Sequence, residues 1–162
     1  MELNKNNPTG FTVLELLIAI GIIGMLILVG SVLLGTARER SRDSKRLSDL
    51  DITRRALEDY FHNNNRYPQA PTPTLLGGEG YKVICSGTPT GFAETRSACG
   101  NATVFLDPVP LPPEPQPAQL SGYIYTSVSP NSTYVIDAAL EGAINGLQGR
   151  VQVSPGGLQV NQ

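Results

Sequence analysis

The chain has 162 residues, a net charge of −2, a pI near 5.3 and 40% apolar residues, with no tryptophan and a single histidine, His62. That balance excludes the bulk basic surface nucleic-acid binding needs, and one histidine with two cysteines leaves few reagents for catalysis. With about thirty residues near the start committed to an apolar segment, room remains for one soluble domain of ordinary size.

Residues 1–10, MELNKNNPTG, are polar, and Lys5 is their only basic side chain. Pro8 and Gly10 disfavour a helix running back through them, so the helix is expected to begin at Phe11 or Thr12. Val13 to Leu34 is a run of 22 residues with one charge, Glu15. At 1.5 Å per residue it is long enough to cross a ~30 Å hydrocarbon core. It exceeds the roughly 7–15-residue apolar core of a cleaved secretory signal, and the segment after it also reads as helix. A carboxylate in hydrocarbon costs roughly 2.5–3.5 kcal/mol on insertion scales, so Glu15 marks a functional site by default.

From Thr36 to Asn63 there is neither glycine nor proline. Leu47, Leu50, Leu57 and Phe61, with Ile52, Ala56 and Tyr60 beside them, form an amphipathic stripe. The opposite, polar face is assigned Arg38, Arg40, Arg42, Asp43, Lys45, Arg46, Asp49, Arg54, Glu58 and Asp59. The asparagines at 63–65 and Tyr67-Pro68 end the helix, which would run roughly 80 Å from Phe11 at 1.5 Å per residue. Beyond it, 68–80 reads as loop, while 81–85 and 103–106 read as short strands. The segment 107–117 holds six prolines and excludes helix or central strand. Residues 122–128 and 133–140, joined by a Ser-Pro-Asn-Ser turn, read as a hairpin, and 150–153 as a last strand.

Gly10-Phe11-Thr12-Val13-Leu14-Glu15-Leu16 resembles the processing site of type IV pilins and type II secretion pseudopilins. The shared features are a short polar leader, glycine before the cut, phenylalanine after it, glutamate fifth and about twenty apolar residues. The resemblance implies cleavage between Gly10 and Phe11 by a membrane-embedded prepilin peptidase, with N-methylation of Phe11. A glycine there gives a protease close backbone access. The new ammonium of a neighbouring copy would pair with Glu15 and offset the cost of burying it. Residues 37–68 resemble the amphipathic helix half and Tyr-Pro exit of G-type pseudopilin heads. One departure is Val32, where the family commonly has proline; Gly21, Gly24, Gly30 and Gly35 loosen the segment instead, by up to ~1 kcal/mol each relative to alanine.

The resemblance implies an α+β fold with a long N-terminal helix packed on a small antiparallel β-sheet head. The expected divisions are a leader over 1–10, a transmembrane and filament-core helix over 11–35, an amphipathic half over 36–66 and a β-rich head over 67–162. The expected role is a structural subunit, not an enzyme, of a pilus or pseudopilus. Its expected partners are further copies of itself and related pilins, the prepilin peptidase, an assembly platform and ATPase, and the lipid bilayer. The alternatives are a membrane-anchored extracytoplasmic binding domain that never polymerises, and secretion with the helix removed. The basic residues Arg38, Arg40, Arg42, Lys45 and Arg46 would, by the positive-inside rule alone, place the C-terminal part in the cytoplasm. The cleavage motif and the cysteines outweigh them and place the head outside the inner membrane. The same cluster suits acidic residues of neighbouring subunits, lipid headgroups, or a solvated face with Glu39 and Asp43 as local partners.

In an exported head, Cys85 and Cys99 are expected to pair, closing a loop worth about 3 kcal/mol by chain entropy, with free thiols as the alternative. No cofactor is expected. Calcium, which G-type heads often bind, is the alternative, although Glu79, Glu94, Asp107, Glu114, Asp137 and Glu141 form no dense acidic loop. Asn101-Ala-Thr103 and Asn131-Ser-Thr133 match a glycosylation pattern but read as turns in a bacterial setting. His62 reads as a helix-end or surface residue.

Overall fold

The structure, a computed structural model, describes residues 10–128 and 130–160, and the side chains of all of these except 31–33. The expected leader at 1–9, Ser129 of the expected turn and the side chain of Val32 lie outside the described residues. The arrangement is α+β: helix α1 (Val13–Asn64) and antiparallel sheets. The chain divides into two units, Met1–Arg38 and Glu39–Gln162.

In the first unit the backbone is helical from Val13 onward, through position 32 as well. Its apolar side chains, from Val13 to Val29, lie exposed on every side. Among the described residues α1 is the one helix long and apolar enough to span a membrane, by length and composition.

In the second unit, α1 buries Asp43, Arg46, Leu50, Thr53, Leu57 and Tyr60. Their spacing alternates three and four, a continuous seam on a 3.6-residue helix. The sequence-derived faces therefore need correcting. Asp43, Arg46 and Asp49, assigned to the polar face, are buried, whereas Ile52, assigned to the apolar stripe, is exposed. The polar residues belong to the seam because strand and loop groups wait there to pair with them. The helix closes as expected on its asparagines. Asn65 adopts a left-handed conformation (φ 55°) and its N–H donates to Phe61 O, an αL cap that asparagine tolerates.

Eight strands follow: β1 (Thr74–Leu75), β2 (Val83–Cys85), β3 (Phe92–Ala93), β4 (Val104–Leu106), β5 (Ile124–Val128), β6 (Thr133–Ile144), β7 (Leu147–Ser154) and β8 (Gly157–Val160). One sheet runs β1-β5-β6-β7-β8 and a smaller one β3-β2-β4, all antiparallel. The expected strands and the strandless proline segment are found. The loop expected over 68–80 contains β1, and β3 and β8 were not expected. Strand β6 extends past the expected end because Asn145-Gly146 closes a two-residue hairpin to β7, both residues at positive φ (51° and 79°). Type I′ turns demand that geometry, and Asn-Gly supplies it with least strain.

Leu50, Leu57 and Tyr60 of α1 join Ile84, Phe92, Tyr125, Tyr134, Ile136 and Val153 in one core. Aromatic rings connect it: Phe61–Tyr67, Tyr67–Tyr134 and Phe92–Tyr125 have centroids 4.6, 4.7 and 5.3 Å apart. Glu58 accepts hydrogen bonds from the hydroxyls of Tyr67 (3.0 Å) and Tyr134 (3.2 Å), tying the helix to its exit and to the sheet. A satellite cluster of Val83, Cys85, Ala93 and Cys99 surrounds a disulfide between Cys85 and Cys99, which fastens β2 to the 3₁₀ turn Arg96–Cys99.

Strand β6 is irregular between Ala139 and Ala143, where residues 140–142 face Gly149 alone. The amides of Glu141 and Gly142 donate instead to the Asp43 carboxylate, at 3.0 and 2.9 Å. The Glu141 side chain turns back to Arg42 and Arg46. A Cβ at Gly142 would meet the Glu39 carboxylate, the free end of a flexible side chain that can turn aside.

Two outcomes follow for the head. Replacing both cysteines by serine lowers stability by about 3 kcal/mol, read as the shift in urea midpoint of the full chain in detergent micelles; an unchanged midpoint refutes the staple. The second concerns acid. Hydrogen bonds from Arg42, then from Arg46, hold the Glu141 pKa down at about 2 from its ordinary 4.5. A depressed carboxylate stabilises fully above the unfolded pKa, and the contribution disappears as pH falls from about 4.5 to about 2, at most about 3 kcal/mol. Burial pushes Asp49 the other way, so its contribution grows with acid and partly offsets the loss. Glu141→Gln flattens the fall in unfolding free energy between pH 5 and pH 2 relative to the parent; parallel profiles would assign the acid sensitivity elsewhere.

Candidate processing and assembly site

The site is built at the start of α1. Thr12 is the residue before the first helical position, and Glu15 is the third position inside. The Thr12 N–H and hydroxyl both donate to Glu15 Oε2 at 2.9 Å, while the Glu15 N–H donates to Thr12 Oγ1 at 3.2 Å. This is a reciprocal capping box, two otherwise orphaned amides satisfied by each other's side chains. Thr12 O accepts the first helical hydrogen bond, from Leu16 N at 3.2 Å. The Thr-x-x-Glu pattern ahead of an apolar run is a sequence signature for this geometry, and it adds Thr12 to the residues of the site.

Gly10, Phe11 and Glu15 thus fall within one turn of the helix start. Gly10 is exposed and outside the helix, and Phe11 is 93% exposed. Exposed backbone outside regular structure is where chains are most accessible to proteases. The carboxylate of Glu15 receives hydrogen bonds but no cation pairs with it among the described residues. From Phe11 to Ala37 it is the only charged side chain.

The basic cluster does not behave as one group. Arg42 and Arg46 are turned inward onto Glu141 and Asp43, whereas Arg38, Arg40 and Lys45 are exposed. Arg54 and Arg55 pair with Asp51 along the helix, which lowers the Asp51 pKa. Cys85 and Cys99 lie in the head and belong to its packing. His62 is exposed in the last helical turn, and Asn131 sits at φ 66° in the β5–β6 turn, as a turn asparagine does.

The carboxylates of the head are dispersed. Glu94 pairs with Lys82, Asp107 with Arg96 and Asp137 with Gln152, while Glu114 accepts from Gln116. Among the described residues no three acidic, histidine or cysteine side chains come together as a metal site would require. In the proline-rich loop, the carbonyls of Pro113 and Pro115 accept hydrogen bonds from Arg46 at 2.9 and 2.7 Å.

The chain thus combines an apolar helix of membrane length, with a capped glutamate in its first turn, and a disulfide-stapled β head. The chain is similar to the type II secretion system core protein G of Aeromonas hydrophila, 39% identical over 67 residues that cover 41% of this chain and 46% of that protein. The match thus spans about half of the relative's length. Together with the long apolar helix it supports the resemblance to the pseudopilins and a pseudopilin-like role. No family model and no solved structure matches the chain.

The capping box is testable. Thr12→Ala removes one side of it at a cost of about 1 kcal/mol, giving roughly fivefold faster amide exchange in the first turn of α1 in micelles. Exchange equal to the parent's would show that Glu15 is not held there.

Proposed function

We propose that this chain is a structural, non-enzymatic subunit of a pseudopilus or related type IV filament, made as a precursor with residues 1–10 as leader. A prepilin peptidase cuts between Gly10 and Phe11 and methylates the new amine. The apolar stretch over 11–35 anchors the subunit in the inner membrane with the head outside. Platform protein and ATPase then draw it into a helical filament with copies of itself and related pilins. The observation that carries this reading is Glu15, the one charge of the apolar run, capped by its own helix yet without a cation among the described residues. The ammonium of Phe11 in a neighbouring subunit supplies the missing charge.

The disulfide supports an external head, since such bonds persist in oxidising compartments. The inward pairing of Arg42 and Arg46 gives two of the basic residues a structural reason to follow the membrane segment on the outer side.

Glu15→Gln separates the two roles of this side chain, because glutamine serves a capping box as well as glutamate does. Sheared filaments are expected to fall at least about tenfold, the factor that corresponds to losing about 1.4 kcal/mol of pairing per subunit. Full filament yield from the variant would refute the charge-pairing role. Mass spectrometry of the membrane-extracted parent should show residues 11–162 with one added methyl group. An intact Met1, with no filaments, would favour the non-polymerising anchor instead.

A further inference from the structure

We propose that Arg46 is the head's resident cation: its guanidinium, set among four oxygens, holds the proline-rich loop against the helix without a metal ion. The cage has four oxygens from three stretches of chain. Asp43 Oδ1 lies 2.7 Å and Glu141 Oε1 2.6 Å from Nη1. Pro113 O lies 2.9 Å and Pro115 O 2.7 Å from Nη2. Two carboxylates and two backbone carbonyls are the hard-oxygen donors that calcium selects. Here a planar fork with donors in fixed directions occupies them.

Burial makes the assignment more than a surface ion pair. Arg46 is 0% and Asp43 1% exposed, so neither charge is relieved by water. Asp43 and Glu141 contribute two negatives and Arg46 and Arg42 two positives, with Glu39 a further carboxylate acting on Arg42. Arg42 donates through Nε to Glu141 Oε1 at 2.7 Å and pairs with Oε2, so both oxygens of Glu141 are engaged. Asp43 has both oxygens engaged as well, by the amides of Glu141 and Gly142. Arg46 Nε is buried without a partner. The guanidinium therefore sits where the four oxygens hold it, at the cost of one of its own donors.

The segment it holds is tied down at its start, where Val109 is buried in the core and donates its N–H to Lys82 O at 2.8 Å and Asp107 pairs with Arg96; farther along, Arg46 holds it through the carbonyls of Pro113 and Pro115. Residues 107–117 contain six prolines, which donate no amide hydrogen bonds. Leu111 in the same segment is 61% exposed and contributes little burial there.

The proposal concerns the packing of the head and stands whether or not the chain polymerises. It is tested on the full chain in detergent micelles by thermal unfolding with EDTA and with millimolar CaCl2. The parent is expected to melt within about 1 °C in both, since a ligand shifts Tm only through a site it can occupy. A rise of several degrees with CaCl2 in the parent would overturn the proposal. Arg46→Ala leaves two carboxylates and two carbonyls around an emptied position, and its Tm is expected to drop by roughly 10–20 °C. CaCl2 should recover part of that loss in the variant alone; a loss that calcium leaves untouched would assign Arg46 to packing and overturn the cage. Arg46→Lys keeps the cation and loses the fork, so it is expected to melt between the two. A lysine variant as unstable as the alanine variant would also count against the proposal.

Discussion

A guanidinium denied water must be surrounded by oxygen, and that requirement organises the head around Arg46. The effective desolvation penalty of a buried ion is several kcal/mol, so each of its partners has to be in place at once. Those partners come from α1, from the irregular stretch of β6 and from the proline-rich segment. None of the three can move without stranding a buried charge. The departure of β6 from regular pairing follows from the same constraint. Its amides at 141 and 142 leave the ladder and find the Asp43 carboxylate, which brings Glu141 round to the arginines. A buried pair of this kind sets position more than it adds net stability, because well-packed apolar side chains of similar volume would stabilise as well or better.

The stabilising bulk lies in the aromatic and aliphatic core beneath. There the second half of α1 meets both sheets through Leu50, Leu57 and Tyr60. Glu58 adds specificity by accepting from two tyrosines, hydrogen bonds to a charged group worth roughly 1.5–3 kcal/mol each. The exposed pairs of Asp51 with Arg54 and Arg55 are helix-face contacts of about 0.3–0.5 kcal/mol each. Counting ion pairs without asking which are buried would rank these contacts wrongly. The helix is thus built differently in its two halves. Its first half offers apolar side chains all round, whereas its second half concentrates both its apolar seam and its most consequential charges on one face.

That division explains what was legible in the sequence. The membrane-length run, the onset and end of α1, the hairpin strands and the strandless proline segment each announce themselves by composition or by local chain stereochemistry. The burial of Asp43, Arg46 and Asp49 does not. Polarity places them on a solvated face, and only their spacing with Leu50, Thr53 and Leu57, three and four residues apart, puts them in the seam. Their partners lie roughly seventy to a hundred positions away in the chain, a pairing that no periodicity encodes. Strands β1 and β3 are two residues each, too short to alternate. The Asn145-Gly146 turn and the Thr12–Glu15 box were different, since both carry local signatures present in the sequence.

The capping box changes what Glu15 means. A capping role alone would be served equally by glutamine, which accepts the same hydrogen bonds and carries no charge into hydrocarbon. Capping therefore accounts for the position of the side chain and for its lone pairs, but not for its ionisation. The hydrogen bonds from Thr12 reduce the penalty of burying polar atoms; they leave the net charge in place. A residual negative charge at the head of an apolar helix is stabilised a little by the helix dipole, by about 0.3–1 kcal/mol near water. That is less than the roughly 2.5–3.5 kcal/mol the insertion scales assign to it. A nearby cation would offset the difference, and the first basic side chain after Glu15 in the sequence is Arg38, more than six helical turns on at 3.6 residues per turn. Under the proposed assembly, an ammonium carried at position 11 of another subunit would close that balance, while Thr12 holds the carboxylate in place.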